Sequence, residues 1–271
     1  MLTIDAWLRH NGARFQHELE ILARAYYGIS KAEFICRSDQ NITSSLENYL
    51  SDARAKLKRG TPLAYLLGYK EFWSLELQVN RNVLVPRPET ELIIEKSLEL
   101  ANHGDSVLEL GTGSGAIAIA LAKERPDLSI TATDISIQAL EVARENARKH
   151  KCEINFERSN WFESVGGKWN LILSNPPYVA ENDPHLDSLE LEPRVALVSG
   201  PTGFEALDIL TENAQHHLKP CGHLIIEHGI GQAQEVKKKL ASHNFTEISS
   251  HKDLANINRI VTAQQVSPEY G

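Results

Sequence analysis

Apolar and polar positions divide the 271-residue chain into regions of different period. Up to about residue 60 the apolar residues recur at i, i+3, i+4 and i+7. Leu19, Leu22, Ala23 and Tyr26 form one such set, and Leu46, Tyr49, Leu50 and Ala53 another, with Leu57 one turn on. That spacing predicts short amphipathic helices. Ser30 with Glu33, and Ser44 with Glu47, have the capping-box spacing of helix starts. Arg59-Gly60-Thr61-Pro62 reads as a stop. Residues 61–87 then form a linker in which Phe72, Leu75, Leu77 and Val79 alternate with polar residues. This predicts a β-hairpin, with Asn80-Arg81-Asn82 as its turn.

From residue 88 the pattern changes again. Pro88 suits a helix's first turn, and Glu89 and Glu91 suit the positive end of its dipole. From residue 105 short apolar strands alternate with helical stretches: SVLEL, SITATD, INFER, WNLILSN and GHLIIEHG, then FTEISS and NRIVTAQ. The first five predict parallel strands with right-handed crossovers, and the last two an antiparallel pair at the sheet's end. The expected class is α/β: a Rossmann-like, doubly wound, mostly parallel sheet of seven strands. Three segments follow: a helical domain over 1–60, a hairpin linker over 61–87, and the main domain over 88–271.

Composition narrows the function. A net charge of −8 argues against a surface built to grip nucleic-acid phosphates. Residues 1–80 carry ten Lys/Arg and nine Asp/Glu, so the helical piece is nearly neutral and suits contact with a protein or a structural cap. Cys36, Cys152 and Cys221 are far apart, with no CxxC pair, which fits free thiols rather than a zinc or disulfide framework. No run approaches the roughly 18 apolar residues of a membrane span, and the start lacks a signal peptide's apolar stretch. A cytoplasmic monomer is the default expectation.

Two motifs carry chemistry. Gly111-Thr112-Gly113-Ser114-Gly115 lies between the first strand and a helix, where glycine lets backbone approach a ligand and the helix start offers free N–H groups. Asp134 ends the next strand, placed to accept hydrogen bonds from a ribose diol. A nucleotide-bearing cofactor follows, but the loop alone does not separate NAD from S-adenosylmethionine. The second motif does. Leu171, Ile172 and Leu173 form a strand that ends in Asn175-Pro176-Pro177-Tyr178. Hydride transfer has no evident use for that turn, whereas methyl transfer to a planar nitrogen does. The Asn175 side-chain oxygen and the Pro176 carbonyl are two acceptors for the hydrogens of an NH₂ group. The prolines keep N–H donors away, and Tyr178 is suited to cover the planar group. Such a nitrogen grows acidic as the methyl arrives, so no strong base is needed. His228 reads as a satisfied histidine at a strand end rather than a base. Glu109 reads as a buried polar residue shaping the loop, while a methyltransferase reading puts it near the cofactor's amino group.

The segments GTPLAYLLGYKEFWSLELQV, VLVPRPETE, VLELGTGSGAIAIAL, SNWF, SNPPYV and LEPRVALVSGPTG together resemble the bacterial release-factor glutamine methyltransferases of the HemK type, from about residue 60 onward. The resemblance implies S-adenosylmethionine as cofactor, held by Gly111, Thr112, Gly113, Ser114, Gly115, Asp134, Trp161 and Asn175. It implies Asn175, Pro176, Pro177 and Tyr178 as substrate residues, with Asn175, Pro176 and Tyr178 catalytic, and no metal. Class I peptide chain release factors would be the protein partner, methylated at the glutamine of their Gly-Gly-Gln motif, with no direct nucleic-acid or membrane contact. The family commonly has Asp before the Trp, where this chain has Asn160; an adenine contact through the amide would lose its charge. A ribosomal-protein glutamine methyltransferase, a DNA adenine methyltransferase and a non-catalytic cofactor-binding module remain alternatives.

Overall fold

The computed structural model describes residues 2–266. The outer ends of the expected first and last segments, Met1 and 267–271, lie outside the described residues. The chain forms two compact units, Met1–Tyr69 with Ser188–Leu191, and Lys70–Asp187 with Glu192–Gly271.

The first unit is helical: α1 (Ile4–Gly12), α2 (Gln16–Tyr27), α3 (Lys31–Arg37), α4 (Ser44–Lys58) and α5 (Leu63–Leu67). Leu19, Leu22, Ala23, Leu46, Leu50 and Ala53 are buried together with Trp7 and Phe34, as their helical spacing requires. Tyr26 departs from that set: it is exposed, meeting the Tyr27 ring edge-on and the Tyr49 ring at a 38° tilt. The Ser30–Glu33 capping box forms in both directions. The second expected box does not. Thr43, one residue earlier, is extended and accepts from the Leu46 amide at 3.3 Å. Glu47 instead accepts from the indole nitrogen of buried Trp7 at 3.1 Å, satisfying a donor that burial would otherwise strand.

The second unit begins with the hairpin of β1 (Tyr69–Phe72) and β2 (Leu75–Gln78). Its turn is Trp73-Ser74, not Asn80-Arg81-Asn82. Both turn residues have positive φ, 50° and 57°, the geometry of a two-residue hairpin loop that glycine or asparagine normally supplies. Tertiary bonds hold it: the Trp73 amide donates to Glu91 and its indole nitrogen to Glu124, each at 2.8 Å. Asn80 turns the chain afterwards, accepting the Asn82 amide on its side chain at 2.9 Å.

The α/β body follows as α6 (Glu91–Leu100), β3 (Ser106–Leu110), α7 (Ala116–Glu124), β4 (Ser129–Asp134), α8 (Ile137–His150), β5 (Asn155–Arg158), β6 (Trp169–Ser174), α9 (Glu205–His217), β7 (Leu218–Glu227), α10 (Ala233–Ser242), β8 (Phe245–Lys252) and β9 (Asn258–Gln265). Pro88–Thr90 is a short 3₁₀ turn leading into α6. The seven strands lie in the order β5-β4-β3-β6-β7-β9-β8. Neighbours among the first five positions are parallel, and β9 is antiparallel to both β7 and β8. Strand period sorts the core onto two faces. Val107, Leu171, Leu173 and Ile225 join α6 and α7, while Leu108, Leu110, Ile172, Leu224 and Ile226 join α9 and α10.

Candidate active site

Strand order reverses between β3–β4 and β3–β6, and in such sheets ligands bind beyond the strand ends at that switch point. A cavity of about 320 Å³ opens there, within the range of small-molecule sites. Its wall includes Gly111, Thr112, Gly113, Ser114, Asp134, Asn160, Trp161, Asn175 and Pro177.

The glycine loop is tightly wired. The amides of Gly111 and Thr112 both donate to the Thr133 carbonyl, at 2.9 and 2.8 Å. Gly111, Gly113 and Gly115 all have positive φ. Gly115 is also crowded: a Cβ there would stand 2.9 Å from the movable Ile119 Cδ1 and 3.2 Å from Ala143 Cβ. Gly115 is therefore a packing residue where the loop enters α7, and it is not part of the cavity wall. Buried Asn146 of α8 ties the loop to the hairpin, donating to the carbonyls of Ser114 (2.9 Å) and Gln78 (3.0 Å) and accepting the Gln78 amide (2.7 Å). Nothing in its own sequence neighbourhood marks Asn146 for this role.

Asp134 accepts the amides of Gly113 and Ser136, each at 2.9 Å and one on each carboxylate oxygen. Burial pushes its pKa up, and those N–H groups oppose the rise. Glu109, 1% exposed, accepts the Thr112 hydroxyl at 2.8 Å and the Ala118 amide at 3.0 Å, so it does shape the loop. It also reaches the cavity wall, and burial holds its pKa up at about 8. Asn160 donates through its amide nitrogen to Glu163, which leaves the side-chain oxygen as its acceptor.

The Asn-Pro-Pro-Tyr turn is held from both sides. Val179 bridges in parallel to Val198, its amide donating to Leu197 at 3.0 Å while the Ser199 amide returns to Val179 at 2.9 Å. Gln232 of the β7–α10 connection donates to the Tyr178 carbonyl at 3.2 Å. Gly203 permits this approach, since a Cβ there would lie 2.7 Å from the Tyr178 oxygen. The LEPRVALVSGPTG and PRPETE stretches also meet: Glu192 accepts the Val85 amide and pairs with Arg87.

Asn175 donates its side-chain amide to the Thr90 hydroxyl at 3.0 Å. Thr90 donates to Glu227 at 2.7 Å, and the Tyr178 hydroxyl donates to the other Glu227 oxygen at 3.3 Å. Pro176 and Tyr178 are not part of the cavity wall, and the Tyr178 ring packs with the α9–α10 face of the sheet. Burial, with Glu227 nearby, pushes the Tyr178 pKa up. Thr90 and Glu227 escaped sequence reasoning, although both lie inside motifs it singled out, PRPETE and IIEHG. His228 is fully buried, with Nδ1 against the Gly229 carbonyl and Nε2 unpartnered among the described residues.

Sheet order and the groups at its carboxyl edge define a Rossmann-like methyltransferase. The family described as Methyltransferase small domain matches residues 89–190, and that described as PrmC N-terminal domain matches residues 8–68. The release factor glutamine methyltransferase of Coxiella burnetii is 37% identical, over 92% of this chain and 91% of that one. The protein of the same name from Yersinia pestis is 38% identical, over 95% and 97%. Among solved structures, a methyltransferase from Pyrococcus furiosus shares the fold with a TM-score of 0.58 at 20% identity, over 80% of this chain and 99% of that one. The chain belongs to the release factor glutamine methyltransferase family.

Proposed function

We infer that the protein transfers a methyl group from S-adenosylmethionine to the side-chain amide nitrogen, N5, of the glutamine in the Gly-Gly-Gln motif of class I peptide chain release factors. The observation that carries this reading is the orientation of Asn175. Its amide nitrogen is engaged by Thr90, so its oxygen is the group left for a ligand. Next to it, Pro176 and Pro177 have no N–H to offer. At this corner of the cavity an amide oxygen stands beside two prolines without N–H, which suits an NH₂ group.

The residues fit the cofactor. Gly111, Thr112, Gly113 and Ser114 bring backbone to the cavity, Asp134 offers carboxylate lone pairs beyond its two amide bonds, and Asn160 and Trp161 stand at the same wall. Bound there, S-adenosylmethionine supplies an electrophilic methyl group on a sulfonium sulfur. The chain's part is positional and electrostatic. Asn175 Oδ1, at the cavity wall, accepts one amide hydrogen, and the carbonyl of Pro176, next in the chain though outside the wall itself, is the proposed acceptor of the other. Together they turn the nitrogen's lone pair and stabilise the positive charge it acquires. The methylated nitrogen is strongly acidic and gives its excess proton to solvent water, which removes the need for a strong base. Tyr178 serves this reading by holding Glu227 and the turn.

The helical segment over 1–60 is proposed to dock the release factor, and 88–271 to carry the transfer, joined by the hairpin linker over 61–87. Every site group comes from one chain, so a monomer suffices, and the cytoplasm follows from the substrate. Incubation with isotope-labelled S-adenosylmethionine, followed by peptide mass spectrometry, tests the reading. One added methyl on the Gly-Gly-Gln glutamine is expected; a mark on a ribosomal protein or on adenine in DNA would overturn it.

A further inference from the structure

We propose that Thr90 and Glu227 are positioning residues that set the direction of the Asn175 carboxamide, and so decide that the site presents an acceptor rather than a donor. The proposal rests on the functional reading above and deepens it. A primary carboxamide is nearly symmetric in shape, so packing alone does not choose which end faces a cavity. Something must distinguish oxygen from nitrogen by hydrogen bonding.

The distinction follows from counting protons along the chain of contacts. Thr90 Oγ1 stands 3.0 Å from Asn175 Nδ2 and 2.7 Å from Glu227 Oε2. A threonine hydroxyl has one proton to give. A carboxylate has none and only accepts. Burial raises the Glu227 pKa to about 7, so the count holds for the ionised form present above that value. Ionised Glu227 takes the Thr90 proton, and Thr90 is left able only to accept from its other neighbour. The neighbour's NH₂ group must then face Thr90, and Asn175 Oδ1 must point away from it. Reversing the carboxamide would set two acceptor oxygens against each other. Thr90 is 5% exposed and Glu227 1%, so water is poorly placed to repair a reversed arrangement.

Neighbouring charges leave that logic intact. Tyr178 donates to Glu227 Oε1, which leaves Oε2 to Thr90. Arg259, the cation near Glu227, already pairs with Asp253 at 3.0 Å and Glu89 at 3.7 Å. His228, next along the chain, bonds through Nδ1 to the Gly229 carbonyl. The two positioning residues come from different elements, the turn before α6 and the end of β7, 137 positions apart. Neither Thr90 nor Glu227 is itself the acceptor offered to substrate.

The test uses the whole enzyme with a whole release factor at saturation, at pH 8, above the Glu227 value of about 7. Thr90→Val keeps the shape and deletes both hydrogen bonds, and kcat is expected to fall about tenfold or more, the scale of disturbing one preorganised polar partner. Cofactor affinity should stay within roughly threefold, since the loss belongs to the transition state. Thr90→Ser, which restores the hydroxyl, should recover most of the rate. Glu227→Gln, whose amide can donate to Thr90 and permit the reversed chain, should also lower kcat. An activity-independent readout accompanies these. In protein labelled at asparagine nitrogen, the Asn175 side-chain signal, identified by its loss in Asn175→Asp, should exchange slowly in the parent and shift in Thr90→Val. A Thr90→Val enzyme with parental kcat, a Thr90→Ser enzyme no better than it, or an unmoved Asn175 signal would overturn the proposal. A parent inactive on the release factor defeats the functional reading instead, and the amide signal still decides the fate of the positioning pair.

Discussion

At the scale of single residues, the site is built from polar groups whose partners leave one face open. Asp134 shows how. Burial alone would favour its neutral form, yet one backbone N–H on each oxygen supports the carboxylate and leaves lone pairs toward the cavity. Replacing Asp134 with Ala should therefore weaken S-adenosylmethionine binding by roughly 1.5–3 kcal/mol, the scale of hydrogen bonds to a charged group. Titration calorimetry of the variant against the parent checks this, and equal affinities would remove Asp134 from the cofactor site. The placement of Gly111, Gly113, Asp134 and Asn175 at the cavity wall was legible because each sits in a short motif at a strand end. Thr90, Glu227 and Asn146 were not. Each looks like an ordinary polar residue in sequence, and acquires meaning only through contacts spanning 85, 137 and 68 positions.

At the scale of elements, legibility followed the strength of the local signal. Strand and helix alternation is set by long apolar runs, so the seven strands and the antiparallel pair at the sheet's end could be read directly. The hairpin turn could not, because Trp73 and Ser74 lack the glycine or asparagine that marks positive φ. Bonds to Glu91 and Glu124 hold them there, and such partners are invisible to a local pattern. The α4 cap slipped by one residue for a related reason: Thr43 and Ser44 are equally good caps by type, and Glu47 was claimed by Trp7. Where loop meets helix, Gly115 is favoured twice, by φ of 82° and by tight packing beside Ala143 and the end of Ile119. Gly115→Ala should thus cost about 1–3 kcal/mol of stability through overpacking and left-handed strain. Urea unfolding measures it, and cofactor affinity should fall with it, since the start of α7 would shift. A variant as stable as the parent would mean that the loop relaxes freely.

At the scale of the whole molecule, buried titratable groups tie stability to pH in opposing ways. His217, His223, His228 and His251 all have pKa values lowered by burial, so each adds stability as pH rises toward its ordinary 6.5. Glu109 and Glu227 act in reverse. Their folded values, about 8 and about 7, exceed the ordinary 4.5, so the native state holds the extra protons and stability falls as pH climbs through that range. The two sets partly cancel up to about pH 7; above it the histidines are neutral in both states and Glu109 is left. Urea unfolding should show stability dropping by on the order of 1 kcal/mol between pH 7 and 8, and Glu109→Gln should flatten that drop. A rise over that interval would contradict the burial argument. Substrate choice also belongs to this scale. On the proposed reading the cavity recognises a planar NH₂ group, which any glutamine carries, so the selection of one glutamine would come from elsewhere on the chain. The helical unit has its own core and leaves Tyr26, Tyr27 and Ile35 exposed, apolar surface of the kind that seats a protein partner. If remote docking positions the glutamine, a short Gly-Gly-Gln peptide should react far more slowly than the whole release factor, with the loss appearing in kcat as well as KM. Deleting residues 1–60 should reduce methylation of the whole factor while leaving methylation of the peptide nearly unchanged. Initial rates for both substrates with both proteins decide it: equal losses on peptide and whole factor would mean that the helical unit supports the fold of the catalytic unit rather than the choice of substrate.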